Sequence, residues 1–244
     1  MSGARAPAPL VNSASAYYRA AGHFAWRFAR GKLATDPVFA ALLARGLLAG
    51  RSRILDLGCG QGLLAAWLLA ARALHASEEA QAWPQTWPAP PSVRHYTGIE
   101  INLRDVERAR RAFALAPGAH LQIVHGDIRE VEYESADAIV ILDVLHYLDR
   151  SAQEHVLGRV REALGPNGLL LLRVGDAAGG VRFAFSKAVD QTIALVRRRR
   201  WIPLECRPLR AWERLLAACG FRSHALPMSA GTPFVNVLLR AELA

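Results

Sequence analysis

The strongest constraint on the fold is the segment ILDLGCGQG at residues 54–62, where a short apolar run leads into three glycines at alternate positions. The apolar run is typical of a buried β-strand, and the Leu- and Ala-rich stretch that follows is typical of a helix. Glycine is needed where a turn requires positive φ or where a ligand approaches the backbone closely. The start of a helix also offers unpaired N–H groups to an anionic or polar ligand. We therefore expect an α/β fold with a ligand site at Gly58, Gly60 and Gly62.

Strand-like and helix-like segments alternate from about residue 53, which is typical of a parallel sheet with crossover helices. The predicted strands cover residues 53–57, 95–100, 121–124, 138–142, 169–174, 222–228 and 234–241. The predicted helices cover 63–74, 103–115, a segment that Ser151 opens in a capping box with Glu154, and 209–219. The prediction is a doubly wound, mostly parallel seven-stranded sheet with an antiparallel terminal strand and helices on both faces.

Three segments fall outside this alternation and define the predicted domain organisation. Residues 1–50 are predicted as an N-terminal helical extension or lid, with His23, Tyr17 and Tyr18 as candidates for covering the active site. Residues 51–244 form the main domain, which contains a loop insertion at 75–94 and a cap segment at 176–207. Four prolines in the insertion exclude a continuous helix or a central strand.

Acidic residues stand at the ends of the predicted strands, where an open α/β sheet binds its ligands. Asp56 lies two residues before the first glycine, and Glu100 ends the second strand. A carboxylate in the position of Glu100 can accept both hydroxyls of a ribose. The sequence HGDI, with Asp127 and Ile128, follows the third strand, and Asp143 and His146 follow the fourth.

Together with LGPNGL at 164–169, these segments resemble class I S-adenosylmethionine-dependent methyltransferases in content and order. The resemblance implies S-adenosylmethionine as cofactor, with the glycine loop beside its methionine part and Asp56 on its amino group, directly or through water. It also implies that Glu100 holds the ribose, that Asp127 accepts the adenine amino group and that Ile128 packs on the ring. Asp143 would serve the cofactor or the start of the next helix. A weaker likeness is to the methyltransferases that accompany bacterial polyketide or aryl-polyene pigment clusters.

Missing motifs narrow the methyl acceptor to a small molecule, with oxygen as the favoured atom. No Asp/Asn-Pro-Pro-aromatic sequence and no Pro-Cys nucleophile follow the fourth strand, which disfavours methylation of nucleic-acid bases. Transfer to a hydroxyl needs a base or a metal. His146 is the best-placed candidate base, although a histidine here can equally serve packing. Asp143 and Asp176 lack the further acids of a metal cluster, so no metal is predicted.

The formal charge of +9 permits a polyanionic partner, but 28 of the 30 basic residues are arginines, the bias of a GC-rich coding sequence. We therefore predict no nucleic-acid partner. The arginines at 197–200, followed by Trp201, are interpreted as a solvated face or as a contact for an anionic partner, such as an acidic carrier protein that presents the acceptor. The first residues, MSGARAPAPLV, lack the apolar run of a signal peptide, and no segment is predicted to insert stably in a membrane. The three scattered cysteines are predicted to form no disulfide framework. The predicted location is cytoplasmic.

Two other classes stay open at this point. An NAD-dependent oxidoreductase would share the glycine turn and Glu100, but it expects the spacing G-x-G-x-x-G and a catalytic pair that the sequence does not contain. A non-catalytic cofactor-binding or scaffold protein would keep the fold without the cofactor acids.

Overall fold

The computed structural model describes residues 5–77, 81–116, 120–176, 204–229 and 235–244. These residues fall into two compact units, Met1–Val131 and Glu132–Ala244. Among the described residues, no helix is both long and apolar enough to cross a membrane.

The first unit consists of three N-terminal helices followed by alternating strands and helices. Its elements are α1 (Ala8–Ala16), a 3₁₀ turn (Tyr17–Arg19), α2 (His23–Thr35), α3 (Pro37–Ala44), β1 (Arg53–Leu57), α4 (Leu63–Ala76), β2 (His95–Glu100), α5 (Leu103–Phe113) and β3 (His120–His125). The three strands are parallel, with β2 between β1 and β3, and the register aligns Asp56 with Gly98 and Glu100 with His125. The C-terminal ends of these strands therefore carry Asp56 and Glu100 on one edge of the sheet.

The second unit begins with a strand and ends in an antiparallel pair. Its elements are β4 (Ala136–Leu142), a 3₁₀ turn (Leu145–Tyr147), α6 (Arg150–Ala163), β5 (Leu164–Gly175), α7 (Leu209–Ala218), β6 (Phe221–Pro227) and β7 (Asn236–Leu243). Strand β5 pairs in parallel with β4 and antiparallel with β7, which also pairs antiparallel with β6. Residues 138–141 of β4 and 168–174 of β5 are buried, as their continuous Ile, Val and Leu runs predict.

The seven strands form one sheet in the order β3-β2-β1-β4-β5-β7-β6. The predicted mostly parallel, seven-stranded sheet with an antiparallel terminal strand is confirmed, and the predicted bounds of β1 and β2 agree with the structure residue for residue.

The predicted start of α6 is wrong. The helix begins at Arg150, and Asp149 rather than Ser151 is its N-cap, with a side chain that accepts a hydrogen bond from the Ala152 N–H at 2.8 Å. Aspartate caps helices as well as serine does, so two adjacent candidates compete and the backbone geometry selects the first. Ser151 lies exposed in the first turn.

The insertion at 75–94 contains a small aromatic cluster of its own. Helix α4 ends at Ala76, and the buried Trp83 ring meets the rings of His75 and Trp87 edge-on, each at a centroid distance of 5.6 Å. The insertion is therefore packed onto the end of α4.

Candidate functional site

The glycine loop between β1 and α4 has the backbone conformation that its sequence predicts. Gly58, Gly60 and Gly62 all have positive φ, at 75°, 58° and 79°. A Cβ atom at Gly62 would lie 2.7 Å from the Phe113 ring, whereas a Cβ at Gly60 would meet no atom within 4 Å. Gly62 is therefore fixed by packing and conformation together, and Gly60 presents open backbone that a ligand can approach.

Glu100 links the end of β2 to this loop. Its Oε2 accepts a hydrogen bond from the Gly60 N–H at 2.9 Å, and its Oε1 accepts one from the Asn102 N–H at 2.7 Å. Ligand hydroxyls that bind at this carboxylate would share its oxygens with these backbone donors. The structure brings together the glycine loop and Glu100, which were predicted separately from sequence.

Asp56 lies at the end of β1 with only 4% of its surface exposed. Its Oδ2 accepts a hydrogen bond from the Tyr96 hydroxyl at 2.5 Å. Burial raises the pKa of Asp56 to about 7, the Tyr96 hydrogen bond opposes this rise, and the charge of Glu100 adds to it. Only the small exposed part of Asp56 can contact a cofactor directly. The charge of the Asp56 carboxyl near pH 7 depends on the charge of the group that binds beside it.

Asp127 and Ile128 follow β3, as predicted. The Asp127 carboxylate is engaged by the Arg129 side chain, whose Nε lies 3.0 Å from each carboxylate oxygen, and by the Arg129 N–H at 2.9 Å. Ile128 is 6% exposed. An adenine amino group bound at Asp127 would share these oxygens with Arg129.

In the second unit, Asp143 occupies an unusual backbone position at the end of β4. Its φ of 60° makes it the one described non-glycine residue in the left-handed region. Its carboxylate forms an ion pair with the buried Arg173 of β5, through Nε at 2.8 Å and through Nη2. The proposed role of Asp143 at the helix start is wrong, because Asp149 caps α6; its role toward the cofactor stays a prediction.

His146 lies in the 3₁₀ turn that follows and is 8% exposed. Burial lowers the pKa of His146 to about 4; the charge of Asp143 opposes this shift and that of Arg173 adds to it. The imidazole is therefore neutral at physiological pH, and burial makes it a weaker base than an exposed histidine.

Gln153 fixes the turn that contains His146. Its amide nitrogen donates to the carbonyl oxygens of Leu145 at 3.1 Å, Leu148 at 3.0 Å and Glu205 at 2.8 Å, and its Oε1 accepts from Arg207 Nε at 2.7 Å. The Glu205 N–H in turn donates to the His146 carbonyl at 2.9 Å. A fully bonded buried amide of this kind holds the turn in one conformation.

Other candidates have different surroundings. His23 is exposed and accepts a hydrogen bond from Arg27, whereas Tyr18 is fully buried. The Asp176 carboxylate accepts from the Leu209 N–H at 3.0 Å. No group of three or more His, Cys, Asp or Glu residues suited to a metal was found where the structure describes the chain. The arginines at 197–200 and most of the predicted cap segment at 176–207 lie outside the described residues.

Four residues whose hydrogen bonds hold the predicted site residues, or the turn that carries them, were not identified from the sequence: Tyr96, Asn102, Arg173 and Gln153. Arg173 had a signal in the sequence, because it is a charged residue within the apolar run LLLLRVG. Such a residue must have a buried partner, but the pattern does not say which.

Residues 55–170 match the model of a family described as a methyltransferase domain. Among curated proteins, similar sequences include the carboxy-S-adenosyl-L-methionine synthases of Chromohalobacter salexigens (36% identical over 84 residues, 34% of this chain and 31% of the relative) and Haemophilus ducreyi (30% over 158 residues, 62% and 54%). The chain thus spans about half or less of the length of these relatives.

Solved structures with a similar fold include magnesium protoporphyrin IX methyltransferase from Synechocystis PCC 6803 with bound S-adenosylhomocysteine (TM-score 0.59, 17% identity, 94% of both chains). An O-methyltransferase family protein from Burkholderia thailandensis matches with a TM-score of 0.60 and 17% identity over 93% of this chain and 62% of that chain. Mitomycin 7-O-methyltransferase matches with a TM-score of 0.58 and 21% identity, over 97% and 68%. At these identities the matches establish a common fold.

Proposed function

We propose that this protein, whose residues 55–170 match a methyltransferase domain family, transfers a methyl group from S-adenosylmethionine to an oxygen atom of a small-molecule acceptor. The observation that carries the proposal is the Glu100 carboxylate, which two backbone N–H groups hold against a loop of three positive-φ glycines. A fixed carboxylate beside open backbone suits a ribose next to the polar end of an amino acid.

The residues of the first unit supply the predicted cofactor contacts. Glu100 would accept the ribose hydroxyls, the loop from Gly58 to Gly62 would lie along the methionine part, and Asp127 with Ile128 would contact the adenine. Asp56 would stabilise the positive amino group of the methionine part, and that charge would return the Asp56 pKa toward its ordinary value.

Bound S-adenosylmethionine would supply an electrophilic methyl group on its sulfonium. Transfer to the acceptor oxygen would form a C–O bond while the C–S bond breaks with its electron pair on sulfur, and S-adenosylhomocysteine would be left. The proton of an acceptor hydroxyl would go to the neutral imidazole of His146, which the Gln153 hydrogen bonds hold in place.

The choice of oxygen is supported by the structural neighbours, since two of the three described above are O-methyltransferases by name. An acceptor tethered to an acidic carrier protein would meet the arginines at 197–200, and raising the salt concentration through about 0.15 M would then weaken its binding, because charges are screened beyond roughly 8 Å.

A second candidate is formation of carboxy-S-adenosylmethionine, since the similar curated proteins carry that name. Both candidates need the same cofactor site, so cofactor binding alone does not separate them. They differ in the fate of the methyl group, which leaves the cofactor in one reaction and is retained in the other.

The test is incubation of the purified chain with S-adenosylmethionine carrying an isotope-labelled methyl group, in one series with a panel of hydroxylated aromatic compounds and in another with carboxylic acids as carboxyl donors. Mass spectrometry then follows the label. We expect labelled acceptor and S-adenosylhomocysteine in equal amounts. Label retained on a carboxylated cofactor would replace the proposal by the second candidate, and an unaltered cofactor with every acceptor would count against methyl transfer to this class of molecule.

A further inference from the structure

The N-terminal helices contact the glycine loop through two buried hydrogen bonds that meet at one residue. The Tyr18 hydroxyl donates to the Gln61 carbonyl oxygen at 3.0 Å, and the Gln61 side-chain Nε2 donates to the Ala25 carbonyl oxygen at 3.0 Å. All three residues are buried, with at most 2% of their surface exposed. The loop is therefore bonded in both directions to the 3₁₀ turn and to α2.

Gln61 stands between Gly60 and Gly62, so its peptide groups determine how the loop backbone is oriented. The Gln61 carbonyl and the Gly62 N–H belong to one planar peptide unit, and the Gly62 N–H donates to the Cys59 carbonyl at 2.9 Å. A hydrogen bond from Tyr18 to that carbonyl therefore holds the plane of this unit. On the N-terminal side of Gln61, the loop is held by the hydrogen bond from the Gly60 N–H to the Glu100 carboxylate.

An aromatic cluster of Tyr17, Tyr18 and Phe113 packs where the N-terminal helices contact the glycine loop. The Phe113 ring occupies the space beside Gly62, and it packs against Tyr18 edge-on at a centroid distance of 6.1 Å and against Tyr17 at 5.9 Å. The turn that carries Tyr18 thus lies over the helix start at which the cofactor is proposed to bind.

We propose that Tyr18 and Gln61 are positioning residues that set the conformation of the cofactor loop, so that the N-terminal helices are required for cofactor affinity. This inference rests on the proposed function. It assigns a role to residues 8–35, which lie outside the segment that matches the family model. Because coupling between two sites is reciprocal, cofactor binding must in turn stabilise α2 and the Tyr18 turn.

The variants that test this are Tyr18→Phe, which removes one hydroxyl and keeps the ring, and Gln61→Met, which keeps the side-chain length and removes the donor. Trp67→Phe is the matched control. It removes a buried hydrogen bond of the same unit, from Trp67 Nε1 to the Phe39 carbonyl at 2.8 Å, in which no residue of the glycine loop takes part. Each variant is measured for S-adenosylhomocysteine affinity by calorimetry, for Tm, and for amide hydrogen exchange.

We expect Tyr18→Phe and Gln61→Met to weaken S-adenosylhomocysteine binding at least fivefold, the lower end of typical couplings between sites. Trp67→Phe should lower Tm. Its Kd for S-adenosylhomocysteine should stay within about twofold of the wild-type Kd, and we count only larger changes in Kd as an effect. In the wild type, S-adenosylhomocysteine should slow exchange at residues 17–29, and this protection should be lost in Tyr18→Phe. Unchanged affinity in both loop variants, or no protection of residues 17–29 in a wild type that binds, would overturn the inference.

A wild-type chain that binds no S-adenosylhomocysteine would instead refute the proposed function. Exchange at residues 58–62 in the ligand-free proteins then decides the positioning role. Faster loop exchange in Tyr18→Phe than in Trp67→Phe would support that role, and equal exchange would reject it.

Discussion

The Glu100 carboxylate accepts a hydrogen bond at 2.9 Å from the N–H of Gly60, a residue 40 positions earlier in the chain. This one contact joins the two strongest sequence signals, the glycine loop and the acid at the end of β2. It places a charge beside open backbone, which is the arrangement that suits the proposed nucleoside cofactor.

Replacing Glu100 by alanine should weaken S-adenosylhomocysteine binding roughly ten- to a hundredfold, because hydrogen bonds to a charged group contribute about 1.5–3 kcal/mol. Calorimetric titration measures the change. Glu107→Ala, which removes an exposed carboxylate from α5, is the control and should leave the Kd as it is. A loss below threefold for Glu100→Ala would remove Glu100 from the ribose site.

Alanine at Gly62 should cost more stability than alanine at Gly60. Both positions have positive φ, which costs a residue with a Cβ about 1–2 kcal/mol. Only at Gly62 does the new Cβ also meet the Phe113 ring, and overpacking adds about 1–3 kcal/mol. Thermal unfolding should place Tm in the order wild type, Gly60→Ala, Gly62→Ala, with roughly 2–4 °C for each kcal/mol.

Gly31→Ala is the control for this pair, because Gly31 lies within α2 with open space at its Cβ position. It should raise stability by roughly 0.5–1 kcal/mol, since alanine has the higher helix propensity. Equal Tm values for Gly60→Ala and Gly62→Ala would contradict the packing of Phe113 on the loop.

Gly60→Val should abolish S-adenosylhomocysteine binding while the fold persists.

The fold was predictable from sequence where the signal is local. The predicted bounds of β1 and β2 agree with the structure, and three glycines at alternate positions predict the positive φ values that the backbone adopts. The partners of the site residues were not predictable, because hydrogen bonds such as Tyr96 to Asp56 join strands whose neighbours are set by the tertiary fold. The prediction of Ser151 as the cap of α6 failed for a related reason, since the nearby Asp149 satisfies the same local rule.

The buried Asp56 should make stability depend on pH in the direction opposite to an ordinary surface carboxylate. Its pKa is raised from 3.8 to about 7, so the folded state binds the proton more tightly than the unfolded state does. Stability from this group is fully present below pH 3.8 and is lost as pH rises through about 7. Denaturant titrations of wild type and Asp56→Asn should therefore show the wild type losing stability relative to the variant between these values. A constant difference would place Asp56 in a more solvated site.

His146→Ala should lower kcat by about a hundredfold or more while cofactor affinity stays unchanged, if His146 accepts the proton. Because burial lowers the pKa of His146 to about 4, its protonation should not reduce the wild-type kcat until the pH approaches that value. His155→Ala, at an exposed position on α6, is the control. A variant that keeps its turnover but loses stability would assign His146 to packing of the turn.

Calorimetric titration of the wild-type chain tests most directly whether the glycine loop and Glu100 form a site for S-adenosylmethionine. Separate titrations with S-adenosylhomocysteine and NADH distinguish this site from a dinucleotide site of similar shape. We predict saturable binding of S-adenosylhomocysteine at one site per chain and no measurable heat with NADH. Saturable binding of NADH, or no binding of S-adenosylhomocysteine by a folded wild-type chain, would contradict the account.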